Sequence, residues 1–410
     1  MKLRKKILIF VILFIVLINN YVFADELRLN ATSAILVEVS TGRIIYERNS
    51  TEKKYPASIT KIMTAILVLE NCKLEDMVTV SESALSNIPS GYVTCDLIAG
   101  EEISVENLLY ALMVKSANDA AYVLAEHVGG TVDAFSDMMN IKARELGCTG
   151  THFVNPNGIH EERHYTTAYD MYLIANYAMK NETFRKLVTT KSYTLPATNL
   201  YSKADRSFNT TNALIDDNSS LFYKYAIGIK TGYTSQAGEC LVAESSRDGL
   251  DFIAVVLDAG TPSQGNRFID AKKLFDYGYD NYTLTKIKEK NTVIDTIEIE
   301  NGDKETKNLD VLIDSSITVI NNKSIDINGL IPDITYNENL LAPIKKGDSI
   351  GTIKYKLEGI EYSAGLIAGA DVIEKPDYSI YIILSGVVLL IISFGIIKNN
   401  NRKNRRRHRK

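Results

Sequence analysis

Residues 378–397 run for twenty positions without a charge. At a rise of about 1.5 Å per residue, a helix of that length is about 30 Å long, the thickness of a bilayer's hydrocarbon core. Lys398 follows at once, then the tail 401–410 with Arg402, Lys403, Arg405, Arg406, Arg407, Arg409 and Lys410. The pattern predicts a transmembrane anchor over 378–397 and a basic cytoplasmic tail over 398–410, retained inside by anionic head groups. Everything ahead of the anchor is then expected on the extracellular side of a cell membrane. The opposite end agrees. Lys2, Arg4, Lys5 and Lys6 precede the apolar run 7–18, which closes on Val22-Phe23-Ala24 before Asp25. A basic start, twelve apolar residues and a small residue at the end read as a signal peptide over 1–24, too short to span a bilayer comfortably.

The two ends also hide the charge of the body between them. The chain has 46 Lys and Arg against 50 Asp and Glu, a net of -4. Residues 1–24 hold four basic groups and 398–410 hold eight, with no acid in either, so 34 basic face 50 acidic residues over 25–397, a net of -16. A body that acidic is a poor partner for nucleic acid, whose phosphates need a basic surface. Cys72, Cys95, Cys148 and Cys240 are far apart and form no metal knuckle, CxxC site or disulfide framework.

The exported body changes texture near residue 281. Before it, residues 33–38 and 43–47 read as a hairpin around the turn Ser40-Thr41-Gly42. Helical spacing follows at 58–71, 105–113, 117–128 and 132–146, then in a helix through Ala178 with Thr167 and Asp170 as its capping box. Strands return at 225–231, 240–244 and 252–257, and 271–279 reads as a closing helix. Strands at both ends and helices between them predict an α+β domain over 25–280: an antiparallel sheet built from the first and last segments, flanked by helices. Residues 281–377 read as a small β-rich domain, with strands at 293–299, 311–313 and 350–357 and turns at Asn301-Gly302, Asn328-Gly329 and Lys346-Gly347.

Neither HExxH nor GxxxxGK[ST] occurs, and Gly42 belongs to no dinucleotide fingerprint, so neither metal nor cofactor is expected. His127, His152, His160, His164 and His408 are expected in surface or supporting roles. Three short motifs remain. Ser58-Ile59-Thr60-Lys61 opens an apolar helix, where a spacing of three places the lysine amine beside the serine oxygen. Ser116-Ala117-Asn118 sits in the break between two helices, where side chains can face a cleft. Lys230-Thr231-Gly232 ends a strand and offers a cation and a hydroxyl to a carboxylate, and its glycine permits close approach by a ligand backbone. Each pattern is cheap alone: Ser50-Thr51-Glu52-Lys53 repeats the first spacing and Ser207-Phe208-Asn209 the second.

In this order, with first positions 58 and then 114 residues apart, the three motifs resemble those of the serine penicillin-recognising enzymes, S-x-x-K, S-D-N and K-T-G. More closely, the chain resembles the low-molecular-mass serine-type D-alanyl-D-alanine carboxypeptidases, the penicillin-binding proteins of peptidase S11 type. Tyr55-Pro56-Ala57-Ser58 and the segments 153–158, 165–170 and 228–237 carry the likeness further. Ala117 departs from the aspartate of the central motif. The resemblance implies a β-lactamase/transpeptidase-like fold and cleavage of peptidoglycan stem peptides ending in D-Ala-D-Ala, with β-lactams as covalent inhibitors. It implies Ser58 as acyl nucleophile, Lys61 as general base, Ser116 as proton relay and Asn118 as the group that positions substrate and lysine. Lys230, Thr231 and Gly232 would bind the substrate, and the backbone of Tyr233, with that of Ser58, would form the oxyanion contact. The rival readings are a class A β-lactamase, which needs a deacylating glutamate among Glu161, Glu162 and Glu182, a D,D-endopeptidase of the same fold, and a peptidoglycan-binding scaffold without turnover.

Overall fold

The computed structural model describes residues 27–262 and 264–407, with side chains to residue 398. The expected signal peptide, 1–24, lies outside the described residues, as do 408–410 of the basic tail. The contacts divide the chain into two compact units, Met1–Thr283 and Leu284–Lys410.

The first unit is built on a five-stranded antiparallel sheet. Its order is Ile44–Arg48, Ser33–Glu38, Leu250–Leu257, Gly238–Arg247, Ala226–Thr234. The strand Ser33–Glu38 is buried at every position, which is why its text is a run of small and apolar residues without the alternation of a half-solvated strand. It pairs with Leu250–Leu257 from Ser33 opposite Leu257 to Glu38 opposite Phe252. The first and last segments of the domain thus meet at the centre of the sheet, as their composition predicts. Ala226–Thr234 is an edge strand, paired on one side with Gly238–Arg247.

The helix Lys61–Asn71 is buried from Lys61 to Val68, so its sequence is apolar all round rather than striped. Asn118–Gly129, Val132–Glu145 and Ala168–Ala178 pack into the same core. Thr167 Oγ1 accepts the Asp170 N–H at 3.0 Å, the first half of the predicted capping box. The second half is absent, because the Asp170 carboxylate accepts instead from Gly150 N at 2.8 Å and from Thr151 Oγ1 at 2.6 Å. The expected helix over 105–113 is α-helical only at Val105–Tyr110; Ala111–Lys115 widens into a π-turn that ends at Ser116 in the left-handed conformation, φ 66°. The closing helix is longer than expected, Asn266–Asn281.

The second unit holds a five-stranded antiparallel sheet in the order Val293–Glu298, Asn308–Ile313, Ile360–Ala368, Ser349–Leu357, Asp333–Tyr336, together with the pair Tyr282–Lys288 and Ile317–Asn322. Its core includes Leu309, Val311, Ile313, Val319, Ile350, Ile353 and Leu366. The helix Ser379–Arg407 follows, and its stretch Ser379–Lys398, with mean hydropathy 2.8, is long and apolar enough to cross a membrane.

Candidate active site

Ser58 lies in a single 3-10 turn, Ala57–Thr60, that runs straight into the helix Lys61–Asn71. The residue before it, Ala57, is held at φ 50°, a conformation an alanine adopts only where its surroundings force it. Two glycines supply that constraint. A Cβ on Gly158, itself at φ +86°, would lie 1.8 Å from the Ala57 carbonyl oxygen. A Cβ on Gly232 would meet Pro56 O at 2.9 Å, Ser58 N at 3.0 Å and Ile59 N at 3.1 Å. The close approach anticipated for Gly232 is therefore made by the protein's own serine turn: the end of the edge strand presses against the backbone that carries Ser58.

Lys61 is fully buried. Its Nζ lies 3.0 Å from Ser58 Oγ, 2.9 Å from Asn118 Oδ1 and 2.8 Å from the Asn157 carbonyl oxygen. The two carbonyl-type oxygens can only accept. A neutral amine spends both hydrogens on them and is left with its lone pair facing the serine hydroxyl. Burial holds the Lys61 ammonium well below its usual range, the nearby Lys230 lowers it further, and Asp119 opposes both. The amide of Asn118 has one orientation open to it, since Oδ1 also accepts from Asn157 Nδ2 at 3.0 Å while Nδ2 donates to Val93 O at 2.9 Å.

Lys230 is likewise buried and donates to the carbonyl of Thr231 at 3.0 Å. Burial first, and then the Arg267 guanidinium, bring its ammonium down to about 7. Arg267 is tied to the same strand end through Nη1 to Gly232 O at 2.9 Å. Thr231 Oγ1 shares a hydrogen bond of 2.7 Å with Thr211 Oγ1. Ser116 is half-buried, and among the described residues its hydroxyl makes no hydrogen bond; its position two residues before Asn118 is fixed by the π-turn and its left-handed backbone. The Tyr233 side chain is 42% exposed.

The structure thus joins Ser58, Lys61 and Asn118 by hydrogen bonds, Gly232 by backbone packing and Lys230 by its field. The two look-alike motifs fall apart. Ser50 Oγ donates to Glu47 at 2.5 Å while Lys53 lies over the Tyr165 ring, and Ser207–Asn209 is a short strand with Phe208 buried. Glu161, Glu162 and Glu182 are all exposed.

Several supporting residues carry no signal in the sequence. Asn157 serves Lys61 through its carbonyl, a group every residue type offers. His164 is buried, and since its Nδ1 accepts from Val154 N at 3.2 Å, its Nε2 carries the proton and donates to Thr60 Oγ1 at 2.9 Å. Burial lowers this imidazole to about 3, so it is neutral. The Asp119 carboxylate accepts from the backbone N–H groups of Cys95 at 3.0 Å and Leu97 at 3.1 Å, pinning the 93–97 loop beside Asn118.

Residues 20–261 match the D-alanyl-D-alanine carboxypeptidase family, and 282–372 match the C-terminal domain of penicillin-binding protein 5. The chain is 33% identical over 362 residues to the D-alanyl-D-alanine carboxypeptidase DacF of Bacillus subtilis (strain 168), covering 86% of this chain and 88% of that protein. Among solved structures, penicillin binding protein 5 from Haemophilus influenzae aligns with a TM-score of 0.64 at 29% identity, over 85% of this chain and 98% of that one. The Streptomyces K15 DD-transpeptidase aligns with a TM-score of 0.58 at 35% identity, over 62% of this chain and 98% of that one.

Proposed function

Because this chain belongs to the D-alanyl-D-alanine carboxypeptidase family and is a serine-type D-Ala-D-Ala carboxypeptidase, we propose that Ser58, Lys61, Ser116 and Asn118 carry its reaction on peptidoglycan stem peptides. Ser58 Oγ attacks the carbonyl between the two terminal D-alanines, and its proton passes to the Lys61 Nζ lone pair. The developing oxyanion is met by the backbone N–H groups of Ser58 and Tyr233. Ser116 relays the proton to the departing D-alanine amine, leaving an ester on Ser58. Water then attacks that ester, Lys61 takes the water's proton and passes it to Ser58 Oγ as the ester C–O bond breaks, and the shortened peptide leaves with the serine hydroxyl and the neutral amine restored. Lys230 and Thr231 receive the terminal carboxylate. A β-lactam, with a strained amide and a carboxylate, enters by the same route and stays as a slowly hydrolysed ester. The observation that carries this reading is the triple contact of Lys61, which uses both amine hydrogens on Asn118 and Asn157 and turns the lone pair to Ser58.

The apolar stretch Ser379–Lys398 and the basic tail behind it support a single-pass anchor, with the catalytic domain outside the bacterial cell and residues 1–24 as its export signal. A fluorescent penicillin followed by intact-mass measurement tests the site. Ser58→Ala is expected to abolish both the adduct and release of D-alanine from a D-Ala-D-Ala peptide, while Ser50→Ala retains both. An adduct mapped to another serine would reject the assignment.

A further inference from the structure

At the end of the helices remote from Lys61 and Asn118 lies a second cluster of reactive side chains. Cys72 caps the C-terminus of Lys61–Asn71, Asp76 follows in the next turn, and His127 stands in the last turn of Asn118–Gly129. One ligand atom from each, a thiol sulfur, a carboxylate oxygen and a ring nitrogen, lies within 4.8 Å of the other two. We propose that Cys72, Asp76 and His127 bind a zinc ion, with water as the fourth ligand.

Tetrahedral zinc with sulfur at about 2.3 Å and nitrogen or oxygen at about 2.0–2.2 Å sets its ligands about 3.3–3.8 Å apart. The trio has therefore no more than about 1.5 Å to close, and His127, exposed and without a hydrogen bond to its ring among the described residues, is free to supply that movement. Asp76 is already oriented, because its Oδ2 accepts the Lys73 N–H at 2.8 Å, the kind of support that metal-binding carboxylates receive. Cys72 is the available thiol. Cys95 Sγ donates to Asp119, Cys148 Sγ to Asp170 O and Cys240 Sγ to Tyr55 O, whereas Cys72 is half-buried and its sulfur makes no hydrogen bond among the described residues. Both helices end here, and the partial negative charge of their last carbonyls favours a cation. A thiol with an imidazole selects zinc over calcium or magnesium. Binding forms the S–Zn bond as the thiol proton leaves to solvent, and it ties together the two helices whose opposite ends carry Lys61 and Asn118.

The test uses the full-length chain without a polyhistidine tag, in detergent, titrated with Zn²⁺ against a chromophoric chelator, and with Co²⁺ as a thiolate-sensitive probe. The expected result is one Zn²⁺ per chain, a cobalt–thiolate charge-transfer band, and a rise of about 5–10 °C in Tm at Zn²⁺ a hundredfold above Kd. Cys72→Ser is expected to remove the band, and His127→Ala, at an exposed position, to weaken Zn²⁺ binding by more than about 100-fold, beyond the 10- to 100-fold typical of losing a supporting group. A native chain that takes up no Zn²⁺, or a His127→Ala chain that binds it as tightly as native, would overturn the proposal, and the His127→Ala comparison decides even if Cys72→Ser fails to fold.

Discussion

Burying two lysines in one site sets stability against activity. Lys230 titrates at about 7 in the folded chain, whereas a solvated lysine titrates at 10.5. Between those values the unfolded chain binds a proton that the folded chain lacks, so stability rises with pH through that window and is lowest below it. Lys230→Met is therefore expected to stabilise the protein at pH 6, by at most on the order of 5 kcal/mol at about 1.4 kcal/mol per pH unit. The advantage should fade as pH approaches about 10. Urea unfolding at the two pH values measures this; no gain at pH 6 would mean that the folded chain keeps the ammonium solvated. The same variant reports on Lys61. Acylation should fall as pH drops through the pKa of its amine, because the protonated form accepts nothing. Burial is the larger cause of the depressed Lys61 value and the Lys230 charge the next, so removing that charge should move the acidic limb of the rate profile to higher pH. Stopped-flow acylation across pH decides, and an unmoved limb would sink Lys61 as the titrating base.

The serine turn is held by backbone contacts, and glycine is what permits them. Gly158→Ala would drive a methyl group to 1.8 Å from Ala57 O on a backbone at φ +86°, so loss of both folding stability and penicillin labelling is expected. Gly232→Ala meets backbone atoms at 2.9–3.1 Å, so the serine turn must shift to admit it, by far less than Gly158→Ala demands. It should fold, yet acylate about 10- to 100-fold more slowly, since small misplacements of a nucleophile are costly. Thermal melting beside the acylation rate separates the two cases; native rates in Gly232→Ala would show that this contact does not position Ser58. These contacts were not legible in the sequence, because a glycine announces that something comes close and leaves the neighbour unnamed. The strands Ser33–Glu38 and Leu250–Leu257 were legible, being buried along their length and correspondingly apolar. The π-turn Ala111–Lys115 was hidden, since its residues ALMVK suit an α-helix equally well. Motif order and spacing pointed to Ser58 over Ser50, whereas Asn157 stayed unassigned because it reaches Lys61 through a carbonyl oxygen that any residue offers, and the partner of its side-chain amide, Asn118, lies 39 positions earlier.

Every group of the candidate site, from Ser58 to Arg267, belongs to the first compact unit. A chain cut to residues 25–283 is therefore expected to bind fluorescent penicillin within about twofold of the full-length stoichiometry and to release D-alanine from a soluble peptide. Complete loss of labelling in a fragment that still melts cooperatively would contradict that independence. Placement is checked on cells stripped of their wall. A tag after Lys410 should survive external protease until permeabilisation, whereas 27–377 should be digested. One further consequence follows from the sheet, where Ser33 pairs with Leu257, 224 positions later. A ribosome adding about 5–20 residues per second needs about 11–45 s to make the second partner after the first. Until then Ser33–Glu38 has no neighbour on that side, and Gly232, which braces the serine turn, emerges late in the catalytic unit. The order of synthesis thus keeps the nascent chain open and its nucleophile unassembled until the last strands of the catalytic unit have been made.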